Sequence, residues 1–138
     1  MKGCICLRIV LLKHDLLSLL DDIKTILNTD GTDGFMFIKK RKNEKSDPKA
    51  TNNYCLIALQ YNDEDVMQEI ISLDISHYYE SVFDLNSPQT DLLHIFIKEI
   101  AQRQVYIKLK IKKIDENKKV LCISFHFAEH NISNLPYG

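Results

Sequence analysis

Val105-Tyr106-Ile107-Lys108-Leu109-Lys110-Ile111-Lys112 alternates apolar and polar side chains without interruption. A strand turns successive side chains to opposite faces, so Val105, Ile107, Leu109 and Ile111 read as core-facing and Tyr106, Lys108, Lys110 and Lys112 as outer-facing. Val120 to Phe127 repeats the logic, with Leu121, Ile123, Phe125 and Phe127 inward and Cys122, Ser124 and His126 outward. Asp115-Glu116-Asn117 supplies the turn between the two, and Ala101-Gln102-Arg103 joins them to the preceding apolar run Leu92 to Ile100. The result is a three-strand antiparallel meander with one strongly basic face.

Upstream of the meander the pattern changes period. Leu16, Leu17, Leu19, Leu20, Ile23, Ile26 and Leu27 recur at helical spacing between His14 and Asn28, and Thr29-Asp30-Gly31 stops that helix. Phe35 to Ile38 is a short strand that runs into the basic segment Lys39-Lys40-Arg41-Lys42-Asn43-Glu44-Lys45. Asn53 to Gln60 reads as a short helix, and Asn62-Asp63-Glu64-Asp65 caps a second amphipathic helix through Val66, Met67, Ile70, Ile71 and Leu73. Tyr78 to Gln89 reads as irregular, and Gly3 to Leu12 as an edge strand or a flexible start. These elements predict one α+β domain over residues 1–138, in which a small antiparallel sheet, the meander plus one or two N-terminal strands, packs with two or three helices.

Eighteen basic and nineteen acidic residues give a net charge of −1, so no global field draws the chain toward nucleic acid, and any basic site must come from local clustering. No run reaches the ~18 to 20 apolar residues that a bilayer span needs, so no membrane partner is expected. Cys4, Cys6, Cys55 and Cys122 fit ordinary thiols of a reduced, cytoplasmic protein.

Register narrows the basic face. An odd slip would bury one strand's lysines, so only even pairing keeps the apolar sets together. Centring one hairpin on Glu116 pairs Tyr106 with His126 and Lys108 with Ser124; centring the other on Gln102 pairs Lys98 with Tyr106 and Phe96 with Lys108. Lys98, Tyr106 and His126 then form one row, with neighbouring Cβ atoms roughly 5 Å apart. A solvated sheet face carries the same residue types, so the functional reading rests on chemistry. Metal-independent RNA cleavage by a 2′-hydroxyl needs a base, an acid and cations near the developing charge, and His126, Tyr106, Lys98 and Lys108 supply those types. Lys39, Lys40, Arg41, Lys42, Lys110 and Ser124 would contact the RNA, and Phe96 or Tyr106 would stack on a base.

Three stretches, Ser72-Leu73-Asp74-Ile75-Ser76-His77-Tyr78-Tyr79, Gln104-Val105-Tyr106-Ile107-Lys108-Leu109 and Cys122-Ile123-Ser124-Phe125-His126, resemble the MqsR-type toxins of type II toxin–antitoxin systems, particularly their Gram-positive branch. The resemblance implies a RelE-like α+β fold, sequence-selective cleavage of messenger RNA, and neutralisation by a cognate antitoxin protein. It points to Tyr106 and His126, and places Lys98 and Arg41 at positions that are polar or basic in that branch. Glu80 stands where the family has a basic residue, and Ile97 where it has glycine.

Other motifs lack their context. His126-x-x-Glu129-His130 matches an inverted zinc-protease motif, but it begins in a strand rather than a helix, and Cys4-x-Cys6 lacks a second ligand pair. No metal or cofactor is expected. Two functions follow: an endoribonuclease toxin, or, from Glu80 and Ile97, a non-catalytic binding or inhibitor protein on the same fold.

Overall fold

Four leucines and isoleucines on one stripe, Leu16, Leu20, Ile23 and Leu27, are buried by the first helix, α1 (Lys13–Asp30), which ends where Gly31 takes a φ of 58° and its N–H bonds the Leu27 carbonyl. The computed structural model describes residues 8–38, 48–85 and 91–138, so the basic segment with Lys39, Lys40, Arg41 and Lys42, and the pair Cys4 and Cys6, lie outside the described residues. Helix α2 (Asn52–Leu59) starts at Thr51, whose hydroxyl accepts the Tyr54 N–H. Helix α3 (Asp63–Ile71) starts with a reciprocal capping box between Asn62 and Asp65, as the acidic run predicts. Among the described residues no helix is long and apolar enough to cross a membrane.

The strands are β1 (Arg8–Ile9), β2 (Phe35–Phe37), β3 (Tyr78–Phe83), β4 (Leu92–Ile100), β5 (Arg103–Ile114) and β6 (Asn117–Phe127). They form one sheet in the order β1-β3-β4-β5-β6-β2, antiparallel throughout except for the β2–β6 edge pair. The fold is α+β, with three helices against a six-strand sheet among the described residues. Val105, Ile107, Leu109, Val120, Cys122, Phe125 and Phe127 meet the α1 stripe and Val66, Met67 and Ile70 of α3 in a single core. Burial pushes the Cys55 thiol up to about 12 and raises that of Cys122 as well, so both thiols are core hydrophobes.

Three expectations are corrected. The stretch from Tyr78 is a strand, β3; its alternation is broken by an extra residue, Tyr79, between the pairs Tyr78–Phe96 and Glu80–Ile95, and by buried Ser81. The β4–β5 loop is a two-residue turn in which both Ala101 and Gln102 take positive φ, so Ile97 faces Tyr106 and Lys98 faces Val105. Finally, Val120 and Cys122 point into the core in place of Leu121 and Ile123, because β6 carries one residue, Ile123, more than β5 between the pairs Lys108–Ser124 and Leu109–Cys122.

That bulge is splinted by α2. The Asn52 side chain is 2% exposed; its Nδ2 donates to the Ile123 carbonyl at 3.1 Å and to the Ile38 carbonyl at 2.6 Å, and its Oδ1 accepts the Phe125 N–H at 3.0 Å. One amide thus satisfies the groups that the bulge removes from the ladder, and ties β2 to β6. On the β3–β4 side a buried relay runs from the Tyr78 hydroxyl to Ser81 Oγ at 2.8 Å, and on to His94 Nδ1 at 2.7 Å.

Two outcomes follow. Asn52→Leu leaves the buried Phe125 N–H and the part-buried Ile38 and Ile123 carbonyls without this partner and lowers stability by about 3 kcal/mol in urea unfolding. Burial pushes His94 down to about 4 from its ordinary 6.5, so the unfolded chain binds its proton first as pH falls. The contribution of this residue is complete above pH 6.5 and declines through the window down to pH 4, by about 3 kcal/mol, and His94→Gln flattens that decline in pH-dependent melting.

Candidate functional site

The bulge decides which side chain stands beside Tyr106. Without Ile123 as an extra residue, Tyr106 would oppose Phe125; with it, Tyr106 opposes His126 and Lys108 opposes Ser124. The two rings stack, with centroids 5.0 Å apart and planes 10° from parallel. His126 Nδ1 lies 3.0 Å from the Phe127 carbonyl, which can only accept, so Nδ1 carries the hydrogen and Nε2 is the basic nitrogen of the neutral ring. The Lys108 ammonium lies 6.0 Å from the Tyr106 centroid.

These rings floor a cleft of about 550 Å3 whose other wall is the segment after β6, with Glu129, His130, Asn131 and Ser133. His126 is only 3% exposed, so anything that reaches it must enter this cleft. The wall is held by Gln104, whose Nε2 donates to the Ile132 carbonyl at 2.7 Å while its Oε1 accepts the Ile132 N–H at 2.8 Å. Farther along, the Tyr137 hydroxyl donates to the Leu11 carbonyl at 2.6 Å and its ring packs on Tyr78, anchoring the segment to the helix side. Tyr79, the extra residue of β3, lines the same cleft, so the β3 bulge borders it. The Arg8 guanidinium lies 5.7 Å from the Tyr79 centroid and pairs with Glu80, so β1 brings a cation beside the acidic residue.

Of the residues singled out in the sequence, Tyr106, His126 and Lys108 come together. The row is Ile97, Tyr106, His126. Lys98 is on the helix-facing side of β4, where its ammonium meets Glu69 at 2.6 Å and the Ser72 hydroxyl. Phe96 is fully buried against Tyr78 and offers no surface to a base. Ser124 is fully buried, and its Oγ has no hydrogen-bond partner among the described residues. Lys110 is buried between Asp84 at 2.8 Å and Asp91 at 3.5 Å; burial opposes its charge, but the two carboxylates more than offset that and raise its pKa. The face read as strongly basic is therefore largely neutralised in its middle. Leu93, Ile95, Ile97 and Leu121 on that face are buried too, rather than solvated.

Tyr79, Gln104, Glu129 and His130 were not read as site residues. Glu129 and His130 belong to the motif dismissed as a zinc site, and among the described residues no group of three or more His, Cys, Asp or Glu is placed to hold a metal. Their spacing from His126 does carry a signal, since a chain that turns back just after a strand end brings the next titratable groups over that strand.

Gln104 tests this architecture. Gln104→Ala frees the wall: amide exchange at Ile132 speeds up, diethylpyrocarbonate labels His126 several-fold faster by peptide mapping, and stability falls by about 2 kcal/mol. Unchanged labelling would mean that the wall does not depend on the clamp.

No family model matches the chain, and comparison with curated proteins likewise finds no match.

Proposed function

We propose that this chain is a metal-independent endoribonuclease of the toxin type, acting on single-stranded messenger RNA in the cytoplasm and restrained by a cognate antitoxin protein. The observation that carries the reading is the stacked Tyr106–His126 pair at the floor of the cleft, with a defined His tautomer and Lys108 alongside. The resemblance of the Gln104–Leu109 and Cys122–His126 stretches to MqsR-type toxins supports the same reading, and with it a RelE-like relationship of the fold.

In this reading His126 Nε2 takes the proton from a ribose 2′-hydroxyl as that oxygen attacks the adjacent phosphorus. The bond from phosphorus to the 5′-oxygen breaks, and that oxygen takes a proton from Tyr106. The products are a 2′,3′-cyclic phosphate and a 5′-hydroxyl end. Lys108 offsets the charge that develops on the phosphoryl oxygens. Ile97 in the row and the neutralised Lys110 favour the second reading, a non-catalytic protein that binds RNA or a partner in the same cleft.

An RNA cleavage assay in EDTA separates them. The first reading expects cyclic-phosphate ends, and a loss of ~10²- to 10⁴-fold in His126→Ala and Tyr106→Phe, both still folded by circular dichroism. Expression of the wild type, but not of these variants, arrests growth. Intact RNA after prolonged incubation with wild-type protein would sink the nuclease and leave the binding protein.

A further inference from the structure

The β5–β6 hairpin ends in a concentration of like charge. Lys112 is directly opposite Lys119, and Lys113 directly opposite Lys118. Like charges facing each other across strands cost stability, and none of these four lysine side chains has a hydrogen bond or ion pair among the described residues. The chain as a whole is slightly acidic, so the cluster is local. Acidic groups are near without relieving it: Asp115 and Glu116 form the turn at the tip, and Asp30 and Asp33 share a shallow pocket with Lys118 and Lys119.

The two pairs are on different faces. Lys112 continues the Tyr106, Lys108, Lys110 side of β5, and Lys119 shares that side through pairing, so both face the way the cleft faces. Lys113 and Lys118 face the helix side. Six residues of strand separate Tyr106 from Lys112, about 20 Å. Between them Lys110 is already clamped by Asp84 and Asp91. The face thus has two separate cationic stations, Lys108 at the cleft and the Lys112–Lys119 pair at the hairpin end.

We infer that the Lys112–Lys119 pair is a second RNA-backbone station, which holds the strand's phosphates about 20 Å from the cleft and sets a minimum substrate length. The inference rests on the RNA reading of the cleft. A strand lying along β5 and β6 replaces the lysine–lysine repulsion with phosphate contacts, which gives the opposed pairs a use that offsets their cost to the hairpin.

The experiment uses 2′-O-methyl RNA, which lacks the attacking hydroxyl, in a length of roughly 12 nucleotides and a length of about 4, with binding followed by fluorescence anisotropy over a range of KCl. Lys112→Gln/Lys119→Gln should weaken the long RNA several-fold and reduce the slope of log K against log [KCl] by about 1.4, while leaving the short RNA unchanged. Lys113→Gln/Lys118→Gln, the helix-side control, should change the slope by less than half as much. Both variants should melt at or above the wild-type temperature, since each removes a repulsive pair. Equal slopes for wild type and the Lys112/Lys119 variant overturn the inference, as do equal losses from both variants, which would report net charge alone. An unchanged RNA slope combined with loss of binding to an acidic protein partner also overturns it. Wild type that binds long RNA through this pair but never cuts unmodified RNA refutes the nuclease and keeps the station. Wild type that cuts RNA with a slope indifferent to the pair refutes the station alone.

Discussion

The amide of Asn52 holds β6 together at the one place where its ladder is interrupted. A two-residue connection at Asp115-Glu116 sets one register near the turn, and the site needs another, offset by one residue. Ile123 absorbs the difference, at the cost of backbone groups turned away from β5, and Asn52 takes up the Ile123 carbonyl and the Phe125 N–H from the start of α2. The consequence is on the far side of the strand. One residue of slip exchanges the faces of a strand, so this bulge places Phe125 and Phe127 in the core and His126 beside Tyr106 at once.

The charges of the sheet are arranged in the same spirit. Lys98 and Lys110 are both drawn into ion pairs, the first with Glu69 of α3 and the second with Asp84 and Asp91 at the β3–β4 connection. Each joins elements distant in sequence, and with little solvent around it each interaction is stronger than at an open surface. Glu69 also accepts the Tyr61 hydroxyl, so one carboxylate links α3, the segment before it and β4. The four lysines of the hairpin end have no side-chain ion pair among the described residues, which leaves them to a polyanion.

The cleft itself is made by a chain reversal. After Phe127 the backbone keeps one more ladder bond, from the Ala128 N–H to the Gln104 carbonyl, and then folds back so that the Gln104 side chain grips Ile132. Gln104 therefore acts twice, through its backbone in the sheet and through its side chain on the wall. Tyr79 reaches the same space because β3 carries an extra residue at that point. The extra residue of β3 on one side and the folded-back segment above turn a flat sheet face into a cleft.

Periodicity alone determined the α1, α3 and β5 elements, because an unbroken period of 3.6 or 2 has one way to hide its apolar side chains, whereas in β6 it located the strand but the Ile123 bulge reversed the faces of its first half. It also paired Tyr106 with His126, though from a three-residue turn rather than from the two-residue turn and bulge that bring them together. The β4 register was misread by one residue, since nothing in Ala101-Gln102 announces that both will take positive φ, a conformation more usual for Asn and Gly. That single step moved Lys98 and Phe96 off the site. Strand β3 was hidden by its own bulge and by a buried serine. Tertiary structure alone decided the bulge at Ile123, the pairing of Lys110 with two aspartates and the closing of the cleft by Gln104, because each depends on partners between 19 and 73 residues away in the chain. Local pattern locates a strand, and its apolar face where the period is unbroken; contacts across such distances fix the bulges and which polar groups on the other face are left to act.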